Sequence, residues 1–264
     1  MRVDITVLVG IVAGVASLVL GFFFAGGSLG ALLEGTSALI VFGGTIGATT
    51  VSSSLRDIRR LPYFLKMAFT ADSIDPLPLV DHFCRYVDTV RRSKSLLPLE
   101  EFANEPQNDR FLSQALKHIA SNTFNADELE STVLAEHASN QRGVELFETA
   151  GGYAPTMGIA GTVMGLIHVL GSLNGGATAL AASIGMAFTA TLYGVGSANL
   201  FWLPISANLK TKAQQRLLIR EIQMDGLFWL SKKDIGPASQ LRGKLLDYVQ
   251  TSLGTHVQDP HQNP

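Results

Sequence analysis

Between Thr149 and Leu209 the chain has no Asp, Glu, Lys or Arg, yet it carries hydroxyls at Thr156, Thr162, Thr189, Thr191 and Tyr193. Hydroxyl oxygens can coordinate a partly dehydrated hard cation, but without a negative charge they make a weak site. An ion carrier normally places a carboxylate inside the bilayer, where ionisable groups are costly and usually functional. Here Glu34 stands at the outer edge of its span, and His168 is the one titratable intramembrane side chain of note. If the chain conducts ions, another chain has to supply the carboxylate. The plainer reading is that these hydroxyls bond to carbonyls one turn back or join neighbouring helices. From the residues alone, both readings stay open.

The charge-free stretch has room for two membrane helices and a turn, since each span needs about 20 mostly apolar residues. The pattern recurs at the start, where Ile5 to Leu33 and Gly35 to Leu55 are uncharged and only Glu34 interrupts them. Four spans follow, roughly 5–24, 36–54, 151–172 and 179–206. With an even number of crossings, the N-terminus, the 56–148 segment and the C-terminal region share one side. Every Lys and Arg falls in those three places and none in the opposite loops at 25–35 and 173–178. The positive-inside bias therefore puts both termini and the charged segments in the cytoplasm of a multi-pass membrane protein. The first apolar stretch lacks a credible cleavage site and is expected to be a retained anchor.

The expected class is an all-α integral membrane protein. Its parts are helices one and two in 1–55, a helical cytoplasmic domain in 56–148 and helices three and four in 149–207. Cytoplasmic C-terminal helices follow in 208–254, then a disordered tail in 255–264. Arg56 to Phe69 mixes cations with Leu61, Tyr63, Phe64 and Phe69 and suits a helix at the membrane surface. Leu79, Val80, Phe83, Tyr86, Val87 and Val90 recur near a helical period. Asn125 with Glu128 resembles a capping box that opens a long helix running unbroken into span three. Leu209 to Leu230 keeps helical periodicity.

Gly158, Gly161 and Gly165 in span three, and Ala187, Ala190, Gly194 and Ala198 in span four, form small-residue faces that let helices approach closely. Pro155 and Pro204 stand near the cytoplasmic ends of these spans, where each frees a carbonyl and can kink its helix.

Several classes are excluded. A net charge of −2 does not suit nucleic acid, which needs a basic excess. Cys84 is the single cysteine, so neither a disulfide framework nor a cysteine zinc site exists. The six histidines are scattered, with no H-E-x-x-H, and His137 beside Glu136 has no second ligand at helical spacing. No Walker or dinucleotide glycine pattern appears, so an ion gradient is the expected energy source, not a nucleotide. The chain is expected not to be an enzyme and to hold no cofactor.

These residues resemble the MotA/PomA/MotP stator subunits of the bacterial flagellar motor. The resemblance rests on the runs Ala154 to Leu166 and Ala187 to Gly194, and on Pro204 after Phe201-Trp202-Leu203. Thr36 to Val41 with Gly43-Gly44-Thr45, and Leu96 to Glu101, add to it, and with the four-span layout it covers nearly the whole chain.

The resemblance implies a homopentamer in the lipid of the inner membrane around a single-span MotB/PomB/MotS-like partner. That partner's membrane Asp carries the ion, and the ring turns against the rotor protein FliG. By position, Pro155 and Pro204 match the family's membrane prolines, which couple ion passage to torque. Arg92, Glu100 and Glu101 match its rotor-facing charges. A basic residue expected directly after Arg92 is Ser93 here, with Arg91 and Lys94 as the flanking bases, so which base engages the rotor stays open. Thr162 is the discriminating position for the ion, because sodium-using relatives carry Thr there and proton-using ones Ala. Thr191 occurs in both branches. Glu34 matches an acidic residue that attracts cations near the outer mouth of some sodium-driven members. Sodium is favoured, with protons next and divalent cations a further choice. The rival is an ExbB/TolQ-like energising subunit, but those proteins have three spans with the large cytoplasmic segment after the first. A scaffold that holds a partner without transport is the third reading.

Overall fold

The computed structural model describes residues 4–70, 75–171 and 176–253. The tail at 255–264 and part of the turn at 173–178 lie outside the described residues. All regular elements among the described residues are helices. Contacts divide the chain into two units, 1–72 with 139–212 and 73–138 with 213–264.

The first unit holds the membrane elements. Helix α1, Ile5–Phe24, fully buries no side chain; it packs on one side, where Gly14 meets Leu200, and leaves the rest of its apolar surface exposed. After a 3₁₀ turn at Leu29–Leu32, Glu34 caps α2 (Gly35–Ala38), which continues through a π-helical turn at Leu39–Gly43 into α3 (Gly44–Ser52). Helix α9, Ala126–Gly171, contributes its second half, followed by α10 (Gly176–Ser197), a π turn at Ala198–Trp202 and the start of α11 (Leu203–Leu230). Ile5–Phe24, Leu29–Ser52 and Ala126–Gly171 are long and apolar enough to span a bilayer. Helix α10 adds a fourth, charge-free helix beside them.

The stretch from Arg56 to Phe69 departs from expectation. It forms two helices, α4 (Leu55–Arg59) and α5 (Leu61–Phe69), with Ser54 accepting from the amide of Asp57 at the first start and Pro62 in the first turn of the second. Phe64, Met67 and Ala68 are buried with Val144, Phe147, Ile205 and Leu209. The buried side of α5 therefore packs on α9 and α11, while Tyr63 stays exposed. Gly143 makes this possible, because a Cβ there would stand 2.8 Å from Phe64 Cε1.

Lys212 closes one end of this unit. Its side chain is 7% exposed, and Nζ reaches Asp4 Oδ2 at 3.1 Å and the carbonyls of Met67, Ala68 and Thr70 at 3.2, 2.7 and 2.8 Å. The Asp4 amide also donates to Phe69 O at 2.8 Å. Those carbonyls are the last of α5, which otherwise lack helical donors and favour a cation. One ammonium thus ties the start of α1, the end of α5 and α11 together.

The second unit packs α6 (Leu77–Ser93), α7 (Pro98–Ala103), α8 (Arg110–Ala120), the first turns of α9, the latter part of α11 and α12 (Ala238–Leu253). Val80, Phe83, Tyr86, Val87 and Val90 form the buried stripe of α6, against Leu99, Leu116, Ile222, Leu227 and Leu245. Each such side chain contributes about 1.5–3 kcal/mol on burial. Asn125 Oδ1 accepts from the amides of Asp127 and Glu128, as its capping role requires. Arg220 fastens the rim, pairing with Asp109 and with Glu136 at 2.8 Å while lying over the Phe111 ring. Burial pushes the Cys84 thiol up from its ordinary value, so it stays an unreactive thiol at neutral pH.

Burial alone would raise the Asp4 carboxyl, but the hydrogen bond and charge of Lys212 outweigh it and hold the group below its ordinary 3.8. A carboxylate lowered in this way adds stability that is fully present above the ordinary value and lost as pH falls through the folded one. Thermal unfolding of the detergent-solubilised chain should therefore lose less stability on acidification below about pH 4 in Asp4→Asn than in wild type. Parallel pH profiles would mean the latch contributes nothing.

Candidate functional site

The site is built on the contact between α9 and α10, and that contact is made of absent side chains. A Cβ on Gly194 would lie 2.6 Å from Ala154 O and 2.8 Å from Gly158 Cα. One on Gly161 would lie 2.7 Å from Ala190 Cβ, and one on Gly165 would lie 2.8 Å from Ala187 Cβ. The two small-residue faces read from the sequence meet each other within one chain. Backbones this close gain dispersion contacts along their length, which substitutes for the hydrophobic drive that lipid removes.

The close approach brings Thr162 of α9 and Thr191 of α10 within hydrogen-bonding distance through their hydroxyls. Thr162 Oγ1 also lies 3.1 Å from Gly158 O and 3.0 Å from Ala187 O. A single hydroxyl proton is thus offered to three acceptors, and four oxygens gather at one point, half-buried and without a formal charge. The outward sides of the helices beside them are apolar and exposed, with Ile159, Val163 and Ile167 on α9 and Phe188 and Leu192 on α10.

Glu34 is placed elsewhere. Its Oε1 accepts from the Thr36 amide at 3.1 Å as the cap of α2, and its own amide donates to Tyr193 Oη at 3.2 Å. Tyr193 in turn donates to Leu32 O, and Thr189 donates to Ala31 O at 3.3 Å. These bonds fasten the 31–34 segment to the second half of α10. Tyr193 points away from the threonine pair, two residues and about 200° round the helix from Thr191.

Helix α9 runs through Pro155 unbroken. Pro204 is the second residue of α11, and the π turn at Ala198–Trp202 precedes it, spanning the carbonyl at Leu200 that the proline leaves without a donor. Gly151, one turn before Pro155, packs on Trp202 and Leu203, next to Pro204.

The charged surface belongs to the second unit. Arg91 and Arg92 end α6, Glu100 and Glu101 occupy the first turn of α7, and all four are exposed. Ser93 Oγ donates to the carbonyls of Val90 and Ser95 at 3.1 Å and closes the turn, while Lys94 stops α6 in a left-handed conformation, φ 51°.

Two contributions escape sequence reading. The Lys212 latch joins residues far apart in the chain, with no local signal. Ser37, buried, donates to Met186 O at 2.9 Å and fixes α2 against α10. Its place in the Thr36-Ser37 pair at the start of span two was the available hint.

Fold and site together define a multi-pass helical membrane protein whose inner helix pair offers hydroxyls but no carboxylate. The model of the MotA/TolQ/ExbB proton channel family matches residues 103–222, and that of the motility protein A N-terminal region matches 8–95. Motility protein A of Bacillus subtilis strain 168 is 31% identical over 250 residues, covering 93% of this chain and 91% of its own. Chemotaxis protein PomA of Vibrio alginolyticus is 26% identical over 85% of this chain and 87% of its own. The solved flagellar MotAB stator complex from Bacillus subtilis superposes with a TM-score of 0.82 at 29% identity, covering 94% of this chain and 97% of that one. The chain belongs to the motility protein A branch of the MotA/TolQ/ExbB family and is a flagellar stator subunit, an ion-channel protein and not an enzyme.

Gly194→Ala should cost about 1–3 kcal/mol, because the clash is with backbone that cannot step aside. Gly10→Ala, with nothing within 4 Å of the new methyl, should be neutral or stabilising. Thermal unfolding in detergent, followed by circular dichroism, compares the two.

Proposed function

We propose that this subunit, with a single-span MotB-like partner, forms a cation path through the inner membrane that turns ion flow into torque on the rotor protein FliG, sodium being favoured over the proton. The observation that carries the reading is the Thr162–Thr191 hydroxyl pair on a helix pair without a carboxylate. Four clustered oxygens can replace part of a cation's water, but they need a negative charge from outside to hold it. The MotAB complex, solved for a relative, is the model for that second chain.

In this account the partner's membrane Asp takes an incoming cation, and Thr162 and Thr191 help shed its water. Glu34 draws cations towards the entrance. Neutralised, the Asp changes its preferred contact with α9 and α10, and a ring of these subunits, a homopentamer by family resemblance, steps round. Pro155 in α9 and Pro204 in α11 pass that step on to the cytoplasmic helices. The second unit faces the rotor from the cytoplasm, as do both termini, with Arg92, Glu100 and Glu101 as contacts and Arg91 and Lys94 as flanking bases. The match of the motility N-terminal model to residues 8–95 favours the motor over an ExbB/TolQ-like energiser.

The test is tethered-cell rotation of a stator-deleted bacterium carrying this subunit and its cognate partner, with external sodium varied at constant proton-motive force. Speed should rise with sodium, and Thr162→Ala should raise the sodium needed for half speed by about tenfold, the worth of one lost ligand of ~1.4 kcal/mol. Rotation indifferent to sodium makes the driving ion the proton. No rotation despite membrane assembly and a compatible rotor moves the chain to the energiser reading.

A further inference from the structure

Between α3, α4, the start of α5 and α9, the first unit holds a groove of about 80 Å³, lined by Ile46, Thr50, Ile58, Leu61, Phe147 and Trp202. Its walls are mainly apolar, and Ile46 and Thr50 on its rim are exposed. Thr45, Thr49 and Trp202 line it too, and each holds a buried hydroxyl or indole N–H without a hydrogen-bond partner among the described residues. Buried polar groups left unpaired are costly and uncommon. A threonine can turn to a carbonyl one turn back, but an indole N–H is a donor with no such local acceptor.

Helix α4 puts Ile58 into the groove wall and carries Arg56 and Arg59, both exposed. Neither arginine has a partner among the described residues, whereas the charges beside them are engaged. Asp57 pairs with Arg142 at 3.8 Å, and Arg60 donates to Ser139 and lies over the Tyr63 ring, 5.6 Å from its centroid. Exposed Leu55, three residues before Ile58, shares its side of the helix. Helix α4 thus has an apolar side and two free cations, the pattern of a helix lying at a bilayer surface. Positive charge after a span is expected from topology alone. Topology does not account for an apolar groove beside those cations, or for an unsatisfied N–H within it.

We infer that this place seats an anionic phospholipid, its phosphate against Arg56 and Arg59, an ester carbonyl accepting from the Trp202 indole, and one acyl chain in the groove beside Ile46. Two free guanidiniums select a headgroup of net negative charge over a zwitterionic one. The apolar walls select a hydrocarbon chain over water or a free anion. A lipid held here fastens α4 to the end of α3, where span two meets the rest of its unit. The inference depends on neither the driving ion nor the rotor contacts.

The test is native mass spectrometry of the full complex in detergent, titrated with phosphatidylglycerol or phosphatidylcholine, which counts retained lipids and subunits together. Wild type should retain phosphatidylglycerol in preference to phosphatidylcholine. Arg56→Gln/Arg59→Gln should weaken that retention by about fivefold for each arginine removed. Arg56→Lys/Arg59→Lys should keep most of it, which separates lost charge from misfolding. Thr50→Trp, which fills the groove, should lower retention of both lipids and leave the subunit count and co-purification with the single-span partner unchanged. Equal retention of the two lipids by wild type, or an unchanged preference in Arg56→Gln/Arg59→Gln, overturns the proposal. Displacement of the lipid by inorganic phosphate makes this a simple anion site and overturns the lipid assignment. A changed subunit count in Thr50→Trp puts a second copy of this chain in the groove and overturns it as well.

Discussion

The backbone contact between α9 and α10 is the constraint from which the rest follows. The paired segments, α9 from Thr149 onward and α10, carry no charge, so they cannot be held together in lipid by ion pairs, nor by the hydrophobic effect, which vanishes when the surroundings are as apolar as the side chains. They are held by proximity, and proximity needs glycine and alanine. Gly158 against Gly194 sets the separation, and the hydroxyls of Thr162 and Thr191 meet because of it. The π turn before Pro204 and the passage of α9 through Pro155 lie towards one end of the same contact, where Gly151 packs on Trp202.

Neutral oxygens can lower a cation's cost of dehydration without trapping it, and the proposed function leaves the trapping charge to the partner. That division suits a motor, in which the charge must be bound, neutralised and released once per step. The exposed apolar sides of α1, α9 and α10 leave room for lipid and for neighbouring helices. Lys212 meanwhile anchors α5 and the start of α1 to α11.

Much of this was legible in the residues. Missing charge located the spans, the Asn125 cap fixed where α9 begins, and the α6 stripe from Val80 to Val90 gave its buried face. The glycine spacing announced close approach, although only the structure pairs those faces within one chain. What stayed hidden depends on long-range partners. The apolar residues of α5 suit a membrane surface equally well until Gly143 is seen beneath Phe64. A lysine after span four reads as a solvated cation until three carbonyls and Asp4 are found around it. Glu34 reads as an acid at the rim, and its capping of α2 is a matter of local backbone geometry.

The central claim is that this chain supplies the track and another chain the charge. It is tested most directly by sodium-induced infrared difference spectra in the carboxylate region, recorded on the purified subunit alone, on the complex, and on the complex with the partner's membrane Asp replaced by Asn. A sodium-dependent carboxylate band is expected from the complex only. The same band from the subunit alone, or its survival after the partner's Asp is replaced, would contradict it.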